Sequence, residues 1–168
     1  QEAAMLIPIW RFTTLLLVAL SMGLSFCHLM EMPIRLRWEP VLWITVTNVQ
    51  GLYWLFGRVG AVIDVAAWVT AVALAFLVRQ RLPAFWWTVL GAALMVVAHA
   101  AWWALVAPAN AIMAGWSPEG IPLDFIEVRN QWEYTHATIA LLKILGLCAL
   151  LLSVLLETPR RWPREDLP

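Results

Sequence analysis

Residues 135–156, with the sequence THATIALLKILGLCALLLSVLL, form a continuous apolar run whose only charged side chain is Lys143. A helix of about 20 apolar residues crosses the hydrocarbon core of a bilayer and satisfies its own backbone hydrogen bonds there. The run therefore predicts a membrane-spanning helix. Where this helix enters the membrane, the carboxylate of Glu133 and the imidazole of His136 lie about one helical turn apart.

The composition of the whole chain also indicates a membrane protein. Of its 168 residues, 62% are hydrophobic and 13% are charged. Soluble domains contain about half apolar and about a quarter charged residues, so an ordinary soluble fold is excluded and the lipid bilayer is the first predicted partner. The formal net charge is zero, and no basic surface indicates a nucleic-acid partner.

Three further apolar runs predict an all-α integral membrane protein, a bundle of four transmembrane helices in a single domain. The predicted spans cover residues 9–30, 61–78, 85–106 and 135–156, and a polar tail follows at residues 157–168. A long loop separates the third span from the fourth.

The segment between the first two spans is more complex. Met32-Pro33 is predicted to end the first helix, because proline lacks the backbone donor that a helix interior needs. Residues 41–56 then mix aromatic residues with Asn48 and Gln50, which favours an amphipathic helix lying in the membrane interface. The alternative is a buried helix that runs directly into the second span.

Basic residues in short connections predict the orientation. Arg11, Arg79, Arg81 and three arginines after residue 157 fall on one side of a four-span protein. That side is predicted to be cytoplasmic, with both termini on it, and the predicted location is the bacterial inner membrane. The long loop then lies on the outer side.

Most ionisable groups of the predicted spans fall in the outer half of the membrane. They are His28, Glu31, Asp64, His99, Glu133 and His136, with Lys143 two turns deeper than His136. Ionisable groups at membrane depth are costly, so their clustering indicates a functional site.

Two spacings in this group are typical of metal ligands. His28 with Glu31, and Glu133 with His136, are three residues apart and share a helix face. Glu-x-x-His pairs inside four-helix bundles hold metal in di-iron carboxylate proteins. One hypothesis is therefore a site for iron, copper or zinc. Its candidate ligands are His28, Glu31, His99, Glu133 and His136.

Other interpretations of the same residues stay open. A metal-free hydrogen-bond network would tie the helices together, with Asp64 paired to Lys143 or to a histidine. Haem is disfavoured, because its two axial histidines would have to come from different predicted depths. Trp68 and Trp103 are close enough to the cluster to wall a pocket for an aromatic substrate, although either could face lipid instead.

Three short motifs carry a resemblance to a known family. They are Glu31-Met32-Pro33-Ile34-Arg35-Leu36, Pro108-Ala109-Asn110 and Trp132-x-x-x-His136-Ala137, and their order spans most of the chain. In these motifs the chain resembles the anthrone-oxygenase-like family of small four-span membrane proteins. It departs from the family pattern at Met32, where histidine is common, and at Ile139, where arginine is common.

The resemblance implies a cofactor-independent oxygenase that converts anthrones to anthraquinones. It implies functional positions at Glu31, Asn110, Trp132 and His136. Imidazole exchanges protons near neutral pH, so His136 is the expected general base, oriented by Glu133 or Glu31.

The other expected roles concern the substrate, a lipophilic or aromatic small molecule. Asn110 or Lys143 would stabilise an oxyanion, and Trp132, Trp103, Trp68 and Lys143 would contact the substrate. The carbanion would react with O₂, directly or at a bound metal. The alternative function is a non-catalytic accessory subunit of a larger membrane complex, or a homo-oligomer, that binds a pigment, quinone or lipid.

Overall fold

Long helices dominate the computed structural model, which describes residues 2–51 and 53–157 and contains no strand within them. The α-helices are α1 (Glu2–Arg35), α2 (Pro40–Ile44), α3 (Trp54–Leu77), α4 (Ala84–Ala101), α5 (Ala107–Met113) and α6 (Phe125–Glu157). Two short π-helical turns complete the described helices. Thr45–Val49 extends α2, and Trp102–Val106 joins α4 to α5.

Four helical segments are long and apolar enough to cross a membrane. They are Leu6–Arg35, Trp54–Leu77, Ala84–Met113 and Phe125–Glu157. The predicted all-α bundle of four transmembrane helices is therefore confirmed, and the chain is an integral membrane protein. Of the predicted polar tail, residues 158–168 lie outside the described part of the chain.

The helix ends differ from their predicted positions. α1 continues through Pro33 to Arg35, so the prediction that Met32-Pro33 ends it is wrong. A proline in the last turn removes only one backbone bond, while the side chain of Arg35 gains five hydrogen bonds where the helix now ends. The second span begins at Trp54 rather than at residue 61, and α6 begins at Phe125 rather than at residue 135.

The predicted amphipathic helix is shorter and packs deeper than its pattern suggested. It covers Pro40–Val49, and Trp43 and Ile44 on its inner face are fully buried against the bundle. It does not run directly into α3, because Gly51 adopts a φ of +63°, a conformation open to glycine but rare for other residues. Trp43 contacts the N-terminal part of α6, at Phe125, Trp132 and Glu133.

The two ends of the bundle are built differently. The end that carries Arg11, Arg81 and Glu157, called the closed end, is tightly packed. A Cβ atom added to Gly91 of α4 would lie 2.6 Å from Cγ of Leu150 on α6, so only glycine allows this approach. The opposite end, called the cavity end, carries α2, α5 and the polar residues described next.

Candidate functional site

A cavity of about 620 Å³ opens at the cavity end, between α1, α3, α4 and α6. Many of the residues predicted for the site line it: His28, Asp64, His99, Asn110, His136 and Lys143, with Trp103 and Trp132. Glu31, Glu133 and Trp68 are not among its lining residues. The three histidines thus line the cavity together with Asp64, whereas Glu31 and Glu133 do not line it.

Glu31 and Glu133 belong to a network centred on Arg35. Nε and Nη2 of Arg35 donate to the two oxygens of Glu133, at 2.8 and 2.6 Å. The Arg35 side chain is 1% exposed and that of Glu133 is 0% exposed. Two parallel charge-assisted bonds match the planar guanidinium to the carboxylate, and this geometry is the strong form of the contact.

The remaining groups of this pair are also satisfied. Nη1 of Arg35 donates to Glu31 at 2.6 Å and to the hydroxyl of Tyr53 at 2.7 Å, and Nη2 donates to the carbonyl of His28 at 3.0 Å. The indole of Trp43 donates to Glu133 at 3.0 Å. The charge of a buried ion pair is tolerated when its donors and acceptors are filled in this way.

Tyr53 completes the network from the segment before α3. Its hydroxyl donates to Glu31 at 2.6 Å. Burial of the phenol, reinforced by this hydrogen bond to a carboxylate, raises the pKa of Tyr53 above its usual value. The phenol therefore stays protonated and keeps donating at neutral pH.

Arg35 is the residue that sequence reasoning missed, because a basic residue after a span is ordinarily solvated. Two signals pointed to it. Glu31 lies four residues earlier on the same helix face. Glu133 at membrane depth also requires a cationic partner.

The expected pairing of His136 with a carboxylate is absent. Both oxygens of Glu133 are engaged by Arg35 and Trp43, and Glu31 is engaged by Arg35 and Tyr53. Nδ1 of His136 instead lies 2.9 Å from the carbonyl oxygen of Trp132, one turn earlier in α6. The helix backbone, rather than Glu133 or Glu31, orients this imidazole.

That contact fixes the tautomer of His136. A carbonyl oxygen only accepts, so the proton of the neutral ring must sit on Nδ1. Nε2 then carries a lone pair. It has no partner among the described residues and is not a fully buried atom, so it is accessible from the cavity that His136 lines.

His28 presents the complementary arrangement. Its ring stacks against that of His136, with centroids 4.4 Å apart. Nδ1 of His28 is buried without a partner among the described residues. A buried N–H without an acceptor is rare in proteins, so Nδ1 bears the lone pair and Nε2 bears the proton. The cavity thus meets an acceptor on His136 and a donor on His28.

A second ion pair lies in the wall of the cavity. Nζ of Lys143 donates to the two carboxylate oxygens of Asp64 at 2.7 and 2.9 Å, and Ser21 donates to Asp64 at 2.5 Å. These residues come from α6, α3 and α1, so the pair joins three helices. An ammonium has three N–H groups, and the third one of Lys143 has no acceptor among the described residues.

The other predicted site residues occupy separate positions. Trp132 donates its indole N–H to Oδ1 of Asn110 at 2.8 Å, which leaves the amide NH₂ of Asn110 as a donor. Trp103 donates to Nε2 of His99 at 3.1 Å. Trp68 packs against the imidazole of His99, with centroids 5.9 Å apart.

The predicted metal ligands are not assembled as a set. Within residues 2–51 and 53–157, no group of three or more His, Cys, Asp or Glu side chains is placed to hold an ion. The reason is chemical: Glu31 and Glu133 neutralise Arg35, and Nε2 of His99 accepts from an indole.

No family model, curated protein or solved structure matches this chain. The resemblance to the anthrone-oxygenase-like family therefore stays a prediction, carried by the motifs that begin at Glu31, Pro108 and Trp132. The fold and the site define a class: a four-span integral membrane protein with a histidine- and tryptophan-lined cavity at one end of its bundle.

Proposed function

We propose that the protein is an oxygenase that acts on a lipophilic aromatic carbon acid without a cofactor. The observation that carries the proposal is the pair of stacked imidazoles, which offer a lone pair on Nε2 of His136 and an N–H on Nε2 of His28 to one cavity. A base beside a hydrogen-bond donor is the arrangement that deprotonation next to a carbonyl group requires.

In the first step, Nε2 of His136 removes a proton from an activated C–H group of the substrate. The contact between Nδ1 and the Trp132 carbonyl stabilises the resulting imidazolium, because Nδ1–H keeps its acceptor. His28 and Lys143 line the same cavity, and Nε2–H of His28 and the third N–H of Lys143 stabilise the enolate oxygen. The substrate thereby becomes electron-rich.

In the second step, O₂ oxidises the carbanion. A carbon–oxygen bond forms, and the hydroperoxide loses water to leave a ketone. The balance is R₂CH₂ + O₂ → R₂C=O + H₂O, with the carbon oxidised and O₂ reduced. The protons pass through His136, and O₂ accepts all the electrons.

The lining of the cavity fits a lipophilic substrate. Trp132 packs on His136 with centroids 4.2 Å apart, and Trp103 lines the cavity while 62% exposed. Aromatic faces favour stacking with a planar ring system. A substrate dissolved in the bilayer reaches the histidines past Trp103 without crossing water.

Oxygen uptake by the purified protein tests the proposal, with anthrone as the probe and anthraquinone as the measured product. His136→Gln should lower the rate by about 10²–10⁴-fold, the usual contribution of a general base. Thr138→Ala is the matched control, because Thr138 is an exposed residue of the same helix that does not line this cavity. Equal rates for His136→Gln and wild type would contradict the proposal.

An accessory subunit is the second candidate, and an exposed apolar patch favours it. Leu123 and Ile121, in the loop before α6, are 107% and 40% exposed outside the candidate spans. Such side chains suit a contact with another membrane protein. Co-purification of a stoichiometric partner, together with no oxygen uptake, would favour this function over the oxygenase.

A further inference from the structure

Arg58 occupies the mouth of the cavity. It lies in the second turn of α3, lines the cavity and is exposed. Its guanidinium carbon lies 4.1 Å from the centroid of the Trp54 ring. A guanidinium stacked on an aromatic face keeps its five N–H groups at the edge of its plane, where they are free to bind a planar or tetrahedral anion.

No acidic side chain neutralises Arg58 among the described residues, and it makes no hydrogen bond with them. The other basic residue of the cavity, Lys143, is paired with Asp64. Arg35, which lies beside the cavity, is paired with Glu133. Arg58 is therefore the one unpaired cation that the described cavity lining contains.

The charge balance of the cavity follows directly. Its charged lining residues are Arg58, Lys143 and Asp64, and the last two cancel. One positive charge remains, on the exposed Arg58, and most of the other lining residues are aromatic or aliphatic, with three histidines among them. The complementary ligand has one negative charge at one end and an apolar body.

We propose that Arg58 binds the anionic head group of an amphiphile, a carboxylate or a phosphate, whose apolar body fills the cavity. The Trp54 ring, on which the guanidinium stacks, holds it in place. Ligand binding at Arg58 does not depend on the chemistry of His136. One corollary rests on the proposed function. It is that the oxygenase substrate itself carries an acid group at the end remote from its reacting carbon.

The test is binding of spin-labelled stearate to the full chain in nanodiscs of phosphatidylcholine, read as the immobilised component of the electron paramagnetic resonance spectrum. The methyl ester of the same probe is the uncharged reference. Arg58→Gln should weaken stearate binding by about tenfold or more and leave the ester unchanged, because only the charged head loses its donors.

Arg37→Gln is the matched control, since Arg37 is an exposed arginine outside the cavity lining. It should bind stearate as wild type does, and so should Arg58→Lys to within a few-fold. Arg58→Glu should prefer a spin-labelled alkylammonium. Equal loss in Arg58→Gln and Arg37→Gln, or equal binding of ester and acid to wild type, would overturn the proposal.

A spin-labelled phosphatidic acid distinguishes the source of the head group. Tighter binding of this probe than of stearate, lost in Arg58→Gln, identifies a membrane phospholipid. The reverse preference, also lost in Arg58→Gln, identifies a free amphiphilic acid. These binding measurements use no anthrone and no turnover, so a failed oxygen-uptake assay and a failed head-group site give separate results.

Discussion

Two ion pairs lie at the same end of the bundle, and they differ in which hydrogen-bonding groups remain free. Arg35 and Glu133 are 1% and 0% exposed, and the Arg35 side chain makes five hydrogen bonds. Lys143 and Asp64 are 4% and 18% exposed, and both line the cavity. The first pair is closed by protein groups on all sides, whereas the second keeps an N–H available.

The difference separates a structural role from a chemical one. Arg35 and Glu133 join the end of α1 to α6 and, through Trp43, fix the segment that covers the cavity end. Lys143 and Asp64 join α6 to α3, but both line the cavity. The first pair positions the walls of the cavity, and the second places charged groups on its surface.

The largest effect on stability is expected when the ion pair between Arg35 and Glu133 is broken. Glu133→Gln leaves a buried guanidinium with one carboxylate fewer, and removing one partner of a buried ion pair costs about 3–5 kcal/mol. The free energy of unfolding in mixed detergent micelles measures it. Glu31→Gln is the control, because it removes a bond to the same guanidinium from a side chain that is 45% exposed. It should cost less than about 1 kcal/mol, and equal costs would show that burial does not distinguish the two carboxylates.

Breaking the ion pair between Lys143 and Asp64 should affect stability less and the oxygenation rate more. Lys143→Met should lower the free energy of unfolding by about 1–3 kcal/mol, since the Asp64 side chain is 18% exposed and therefore less costly to leave unpaired than a fully buried carboxylate. It should lower the oxygenation rate per folded molecule by about tenfold or more, through loss of the enolate donor. Glu133→Gln should change that rate less, once the folded fraction is measured. A larger rate loss in Glu133→Gln would reverse the assignment of the two pairs.

A smaller effect than that of Glu133→Gln is expected at Tyr53, which contacts Arg35 and Glu31 at the edge of this network. Tyr53→Phe removes one hydrogen bond to Glu31 and one from Arg35 and should cost about 1–2 kcal/mol. The folded pKa of Tyr53 is raised, so its contribution to stability is complete below pH 10.0 and is lost as the pH rises toward the folded pKa.

A titration isolates this tyrosine. The chain has two tyrosines, and Tyr134 is 54% exposed, so Tyr134→Phe leaves Tyr53 as the only source of tyrosinate absorbance. In that variant the absorbance should appear at a pH clearly above 10.0, the ordinary value. Titration at or below the ordinary value would contradict the buried hydrogen bond to Glu31.

Hydrophobic runs predicted the fold because lipid imposes a simple condition on the sequence. Each span must be continuously apolar, and residues 135–156 satisfy this condition without any tertiary information. The helix ends were less predictable. α1 passes Pro33 because Arg35 finds partners in distant parts of the chain, and α3 begins early because Gly51 turns the chain before it. Such contacts leave no local pattern.

The grouping of the histidines at one end of the bundle was predictable, and the pairing of the charged groups was not. Ordering the spans placed His28, His99 and His136 in the same half of the membrane, and all three line the cavity. The contact between Arg35 and Glu133 joins residues 98 positions apart, so helix periodicity could not reveal it. In the predicted metal site, Glu31 and Glu133 would be metal ligands. In the structure they are the ion-pair partners of Arg35.

Proton abstraction by His136 is the central claim, and solvent-deuterium exchange measures it without the oxygen step. Anthrone is incubated with the protein in D₂O under anaerobic conditions, and the deuterium content of its CH₂ group is followed by mass spectrometry. The account predicts exchange well above the rate in empty nanodiscs for wild type and Thr138→Ala, and exchange at the empty-nanodisc rate for His136→Gln. Wild-type exchange that persists in His136→Gln would contradict the account.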